Sequence, residues 1–315
     1  MEKTSIAIPA HNEENRIRYL LENLLTTNDH PFVSEIIVCS NGSTDRTDEI
    51  VDEFNETKIR RINSNRGKPN AWNALISQTK NNQIIFFDAD VIPENNCVDA
   101  LISTLPKYTI IGATLNPSLG NKDLSSKLTR FLKKDFFLTN YLAGGGYAIN
   151  KSKLLENMHI HKYEKMPQIL PEDGWLQTLL KKEEYFKNPE AIINYSPGNL
   201  ADFLKHDARI RIAYDELREE LGGERYEEWI NEFRIETSLK GKSNKIKRFL
   251  NRANDLETLK EKSFFALQTI LKKMIRKTYQ EKIDSIYNEM KREYEIGNSS
   301  LILSNSGRLE NSKQF

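Results

Sequence analysis

The first hundred residues alternate short apolar runs with stretches of helical spacing. Residues 5–8, 35–39, 58–62 and 83–88 have strand length, and the last of these runs without polar alternation, as a strand buried on both faces does. Between them, Ile17, Leu20, Leu21, Leu24 and Leu25 share one face of a helix over 13–25. Ser43-Thr44-Asp45 offers caps to a second helix carrying Ile50, Val51 and Phe54. Ala71, Trp72, Ala74 and Leu75 mark a third over 68–78. This β-α-β-α order predicts an α/β fold with a mainly parallel, Rossmann-like sheet flanked by helices and joined by right-handed crossovers.

Farther on, a strand is expected over 109–115, a helix over 125–142, a strand over 184–195 and a helix over 199–221. Three consecutive glycines, Gly144 to Gly146, keep side-chain bulk off the backbone between them. After residue 222 the strand signals stop, and apolar positions such as Phe249, Ile270, Met274, Ile283 and Tyr287 recur at helical spacing with basic residues between. The predicted organisation is an α/β domain over 1–221, an α-helical C-terminal extension over 222–296, and a disordered tail over 297–315.

Parallel topology has a consequence for ligand binding, because open parallel sheets take ligands beyond the carboxyl ends of their strands. Pro9-Ala10-His11-Asn12-Glu13, Ser40-Asn41-Gly42-Ser43-Thr44-Asp45 and Asp88-Ala89-Asp90 all fall just past such ends. They should therefore gather on one rim, where amides, hydroxyls and helix starts suit an anionic ligand. Asp88 and Asp90, two apart on extended backbone, project the same way. Taken alone the pair reads as a solvated turn; in this setting it suits a hard divalent cation shared with phosphate oxygens. Composition narrows the picture further. With 46 Lys+Arg against 45 Asp+Glu, bulk charge does not indicate a nucleic-acid partner. Two cysteines without Cys-x-x-Cys spacing give neither a disulfide framework nor a metal knuckle, which fits a reducing compartment. No apolar run approaches membrane-span length. A cytoplasmic protein is expected, with peripheral contact at the inner face of the membrane left open.

The four segments around Pro9-Ala10-His11-Asn12-Glu13, Ser40-Asn41-Gly42-Ser43, Asn65-Arg66-Gly67-Lys68 and Asp88-Ala89-Asp90, in that order, resemble family 2 glycosyltransferases of the GT-A fold over roughly residues 4–200. The resemblance implies a nucleotide-sugar donor, a divalent metal (Mn2+ or Mg2+) and inversion at the anomeric carbon. Carried over by position, Pro9, Asn12 and Glu13 would line the nucleotide pocket. Ser40 and Asn41 stand where many relatives have aspartates; Asn41 keeps hydrogen bonding to a uracil or ribose, so binding survives while the base preference loosens. Asn41 and Ser43 are assigned to the donor site, with UDP-linked donors expected ahead of GDP- or TDP-linked ones. Lys68 would reach a phosphate. Asp88 and Ala89 belong to the donor site, with Asp88 and Asp90 as the metal ligands.

Pro171-Glu172-Asp173 reads by composition as a helix start with acids in its first turn. By resemblance Asp173 is the catalytic base, with Glu172 orienting the acceptor or neighbouring groups. Trp175 either fills the core or stacks on a sugar ring, the former being the simpler reading. His159 and His161 lack a third soft ligand and read as exposed loop residues. His206 or Arg209 would fold back onto the metal or diphosphate, as basic residues of this region do in related enzymes. A Gln-x-x-Arg-Trp pattern is absent, which argues against a polysaccharide synthase. The expected function is a metal-dependent inverting transfer of sugar to a glycan, lipid, peptide or metabolite acceptor. The rivals are a sugar-phosphate nucleotidyltransferase and a non-catalytic GT-A-like binding protein. The C-terminal helices are expected to pack on the domain or form a homodimer; a basic amphipathic surface on anionic lipid is the alternative.

Overall fold

A computed structural model describes residues 2–120, 123–133, 141–233 and 259–292, with the side chains of 259–266 excepted. The first half of the sheet is laid down by β1 (Thr4–Ala10), β2 (Val33–Ser40), β3 (Ile59–Asn63) and β4 (Gln83–Phe87). These strands are connected by α1 (Ile17–Leu25), α2 (Thr47–Asp52) and α3 (Lys68–Gln78). They pair in parallel, and every residue of β1 and β4 is buried. A strand covered on both faces needs no polar alternation, which is why these runs are apolar throughout.

The second half departs from simple alternation. Directly after Asp90 comes β5 (Val91–Pro93), then α4 (Cys97–Thr104), β6 (Ile110–Asn116) and α5 (Leu124–Lys133). They are followed by β7 (Gly146–Asn150), α6 (Lys151–Ile160), α7 (Glu172–Thr178) and β8 (Tyr185–Tyr195). The strand order is β3-β2-β1-β4-β7-β6-β8-β5. Strand β7 is antiparallel to both neighbours and β5 is antiparallel to β8. The sheet is therefore mixed but mostly parallel, as expected.

Alternate residues of each strand feed two cores. On one face Ile6, Ile8, Ile36 and Ile85 pack against α1 and α4; on the other Ala7, Ile37, Ile84 and Phe86 meet Trp72, Trp175 and Met158. Full burial of each large apolar side chain contributes about 1.5–3 kcal/mol. Trp175 is wholly buried, so it fills the core and offers no stacking face. On the same side, Trp72 stacks on Phe86 and Phe86 on Tyr147, with the Trp72 indole donating to the Tyr147 hydroxyl at 3.1 Å.

Beyond β8 lie α8 (Leu200–Leu221), α9 (Gly223–Glu232) and α10 (Leu259–Thr278). Tyr226, Trp229, Ile230 and Phe233 belong to the Trp72–Trp175 core, so α9 packs into the α/β body. A separate small core joins α5, α8 and the C-terminal helices through Leu132, Phe203, Leu204, Ala208 and Ile283. Charges rim it: Arg276 pairs with Asp207, and Arg211 lies 2.9 Å from Asp284. Among the described residues no helix is long and apolar enough to cross a membrane.

Three local expectations need correction. The helix expected over 125–142 is described as α5 up to Lys133, residues 134–140 lie outside the described ones, and Tyr141 is a bend, so the helix does not extend to 142. His159 is exposed as expected but lies in the last turn of α6, in helix rather than loop, and His161 is the turn residue that follows the helix. The three-residue strand β5 was not anticipated, because its length and its Pro93 carry no strand signal. The expected tail over 297–315 lies outside the described residues.

Candidate active site

The carboxyl ends of β1, β2 and β4 lie on one edge, where Ala10 pairs with Ser40. Because β7 runs the other way, its first residue Gly146 pairs with the last residue of β4, Phe87. That register brings the glycine run to the same rim, and the Asp88 amide donates to the Gly145 carbonyl at 3.1 Å. Segments far apart in the chain thus meet at one place.

On the β1–β2 side the loops are stitched together. Asn12, held in the left-handed region at φ 55°, accepts the Thr44 amide on Oδ1 at 2.8 Å. Its own amide donates to Ser43 Oγ at 3.2 Å. The Glu13 amide donates to Thr47 Oγ1 at 2.7 Å, the Glu14 amide to Asp45 at 3.0 Å, and the Arg46 amide to Glu14 at 3.1 Å. Asn12 and Ser43, expected at the nucleotide, are thus engaged in holding two loops in register. Asn41 is buried at 5% exposure, and its amide donates to the Ala10 carbonyl at 2.9 Å. Pro9 lies in β1 opposite Cys39. Ala89 is buried in the core with Phe87 and Val91, so its methyl group is turned away from solvent. His11 Nδ1 is buried at this rim without a hydrogen-bond partner.

The other side is charged. Lys68, the first residue of α3 after Gly67 (φ 117°), reaches Asp88 Oδ1 at 2.7 Å and Glu172 Oε1 at 2.5 Å. Burial opposes the lysine's charge, but Asp88 and Glu172 outweigh it and keep the ammonium protonated well above its ordinary range. Burial pushes Asp88 up to about 6 against the pull of Lys68, with Glu172 and Asp90 adding to the rise. Asp90 is exposed, 3.9 Å from Arg16. Burial, and after it Asp90, pushes Glu13 up to about 7, opposed by Arg16. Five carboxylates at this edge, Glu13, Asp88, Asp90, Glu172 and Asp173, face Lys68 and Arg16.

Asp173 sits in a cradle of donors. The Tyr141 hydroxyl donates to Oδ1 at 3.1 Å, the Gly174 amide to Oδ1 at 2.7 Å and the Gly144 amide to Oδ2 at 2.9 Å. Burial, and after it Glu172, pushes Asp173 up to about 7, against Lys68 and these hydrogen bonds. A Cβ on Gly144 would stand 3.0 Å from Glu172 Oε1 and 3.2 Å from Asp173 Oδ2. Gly144 is therefore a close-approach residue. The structure brings Lys68, Asp88, Glu172 and Asp173 together. It does not bring His206 or Arg209 to them: both are on the exposed side of α8, His206 is near Lys133, Arg209, Lys272 and Arg276, and among the described residues neither bonds to the acidic cluster. Tyr141 was not singled out from sequence; its only signal is its place two residues before the Ala-Gly-Gly-Gly run.

Among the described residues, no three His, Cys, Asp or Glu side chains form a self-sufficient metal site. The donor set is nonetheless hard oxygen throughout, and its carboxylates outnumber the nearby cations. Such a set fits a divalent cation whose remaining positions are completed by phosphate oxygens.

Residues 5–159 match the family model described as glycosyl transferase family 2. A probable glycosyltransferase of Bacillus subtilis (strain 168), YdaM, is 32% identical over 151 residues, covering 46% of this chain and 36% of its own. A poly-beta-1,6-N-acetyl-D-glucosamine synthase of Staphylococcus epidermidis is 32% identical over 126 residues, covering 39% of this chain and 30% of its own. The chain thus spans about a third of the length of these curated relatives. Among solved structures, residues 1–349 of S. aureus TarS align over 94% of this chain and 92% of theirs, with 18% identity and a TM-score of 0.50. That likeness concerns the fold, and the fold is GT-A. Through residues 5–159 the chain belongs to glycosyl transferase family 2.

Proposed function

We propose that this protein moves a sugar from a nucleoside-diphosphate donor, with inversion, to a hydroxyl of an acceptor, with help from a divalent cation. One observation carries the reading: Asp173, half-buried and pushed up to about 7, stands beside the Lys68-bridged pair of Asp88 and Glu172 at the carboxyl edge of a mostly parallel sheet. Sugar-polymer synthesis by a relative that this chain matches over 30% of its length is consistent with a glycosyl donor.

The donor diphosphate would lie over Asp88-Ala89-Asp90, and a UDP-linked donor is the favoured one, with Asn41 at the base and ribose end and Ser43 holding the loop beside it. Asp88 and Asp90 would hold Mn2+ or Mg2+, which when bound neutralises the diphosphate leaving group. Lys68 contributes a fixed positive charge on the same side, and its partial exposure leaves it open to phosphate. Glu172 orients the acceptor. Asp173 takes the proton of the acceptor hydroxyl as that oxygen bonds to the anomeric carbon from the face opposite the diphosphate. A base titrating near 7 is well matched to neutral pH, because it is substantially ionised yet still basic.

A thermal-shift panel of UDP-, GDP- and TDP-linked sugars with and without Mn2+ tests the reading. A UDP-sugar at a hundred times its Kd should stabilise the fold by about 2.7 kcal/mol in Mn2+ and far less with chelator. No shift with any donor overturns it. Pyrophosphate release from a nucleoside triphosphate and a sugar 1-phosphate would establish the nucleotidyltransferase instead.

A further inference from the structure

We infer that Tyr141 is the positioning residue of the base, and that Oδ2 of Asp173 is the oxygen that receives the acceptor proton. This rests on the transferase reading above and deepens it to single atoms.

The two carboxylate oxygens of Asp173 are not equivalent. Oδ1 accepts two donors, the Tyr141 hydroxyl at 3.1 Å and the Gly174 amide at 2.7 Å. Among the described residues Oδ2 accepts one, the Gly144 amide at 2.9 Å. A carboxylate oxygen has lone pairs for about two strong donors. Oδ1 is saturated, and Oδ2 keeps a lone pair for an incoming O–H. The glycine that binds Oδ2 also leaves room beside it, since a Cβ there would stand 3.2 Å from Oδ2 and 3.3 Å from Lys68 Nζ. The bare backbone of Gly144 is thus the wall past which a hydroxyl reaches the base.

Tyr141 is built to donate. Burial, and after it Asp173 and Tyr214, hold its own proton far above the ordinary tyrosine range, so it stays a neutral phenol throughout the working pH range. Its ring packs against Trp229 with centroids 6.3 Å apart, which fixes the direction of the hydroxyl. A Cβ on Gly174 would stand 2.9 Å from the Tyr141 oxygen and 2.9 Å from Leu217 Cδ1, so this helix residue too must be glycine for the phenol and the leucine to sit where they do. The groups facing Asp173 are Glu172 from α7, Lys68 from α3 and Tyr141 from the loop before β7. Of these, Tyr141 alone touches the carboxylate through a side-chain hydrogen bond, so it turns the group and stabilises its ionised form. In the reaction the acceptor O–H bond breaks and its proton passes to Oδ2. The acceptor oxygen bonds to the anomeric carbon, and the bond to the diphosphate breaks with its electron pair leaving on phosphate.

Tyr141→Phe removes the donor and keeps the ring. Losing a hydrogen bond to the charged form raises the carboxylate's pKa, so the acid limb of the transfer–pH profile should move up by about one unit. Transfer should fall about tenfold below that limb and recover toward pH 9, while the donor-induced thermal shift stays as in the parent. Gly174→Ala, which displaces the same hydroxyl, should move the limb the same way and serves if Tyr141→Phe does not fold. A profile for either folded variant that superimposes on the parent's overturns the inference. Asp173→Asn, run alongside, separates the two levels. If it is inactive while Tyr141→Phe is unchanged, only the role of Tyr141 fails; if it keeps full turnover, the base assignment itself fails.

Discussion

The two sides of the sheet's rim are built on opposite principles. On the β1–β2 side, polar groups are spent on one another: Asn12 on Thr44, Ser43 on Asn12, Thr47 on Glu13, Asp45 on Glu14. These are short bonds between backbone amides and side chains of adjoining loops, each contributing about 1 kcal/mol. On the β4–β7 side the groups are crowded and only partly compensated. Lys68 serves two carboxylates at once, and burial drives Asp88 and Asp173 upward. Satisfied networks give rigidity, whereas crowded charge gives reactivity at a cost in stability. The first side is therefore a frame and the second the place of chemistry, and mutations should divide accordingly into binding and rate effects.

The largest effect is expected at the charged side. Asp173→Asn removes the basic oxygen but leaves the diphosphate region untouched, so turnover should fall about a thousandfold, within the range for loss of a general base. The donor-induced thermal shift should persist. Loss of donor binding together with turnover would mean that Asp173 belongs to the frame, which would erase the contrast between the two sides.

Next comes Gly144→Ala. The new methyl would lie 3.0 Å from Glu172 Oε1 and 3.3 Å from Lys68 Nζ, at the amide that binds Asp173. Neither neighbour is free to move, since the lysine is bridged to Asp88. A displacement of about an ångström at a base costs about a hundredfold in rate, so a shift of a few tenths should cost several-fold. Steady-state kinetics should show a lower kcat with little change in the donor KM. A raised KM with kcat intact would place Gly144 on the binding side.

Much of this arrangement was legible before any coordinates. The parallel half of the sheet was readable because residues such as Ile6, Ile36 and Ile85 must be apolar wherever both faces are covered. Convergence of the Pro9, Asn41 and Asp88 segments followed from topology alone. What was not legible is which partner each polar side chain chooses. Asn12 and Ser43 have the same chemistry whether they face a nucleotide or a neighbouring loop, and only the left-handed φ of Asn12 reveals the loop. Lys68 was expected on phosphate, yet its bridge to Glu172 joins residues 104 positions apart with no local pattern to announce it. Tyr141 was hidden for the same reason, and β5 because three residues ending in Pro93 carry too little periodicity to register.

The smallest effect, and the sharpest test of the frame, lies at Asn12. Its side chain carries the bond to the Thr44 amide, and its backbone sits at φ 55°, where a Cβ is strained unless a short polar side chain offsets the cost. Asn12→Ala loses the bond and keeps the strain, so urea unfolding should show a loss of about 2 kcal/mol. Asn12→Gly loses the bond but relieves the strain, so about half of that should return. In both variants the donor KM should rise a few-fold while kcat holds, because loosening the loops blurs the nucleotide pocket without touching Asp173. Equal stability losses for the two variants would show that backbone strain is irrelevant. A drop in kcat would show that this loop reaches across the rim to the reacting atoms, and the division between frame and chemistry would have to be redrawn.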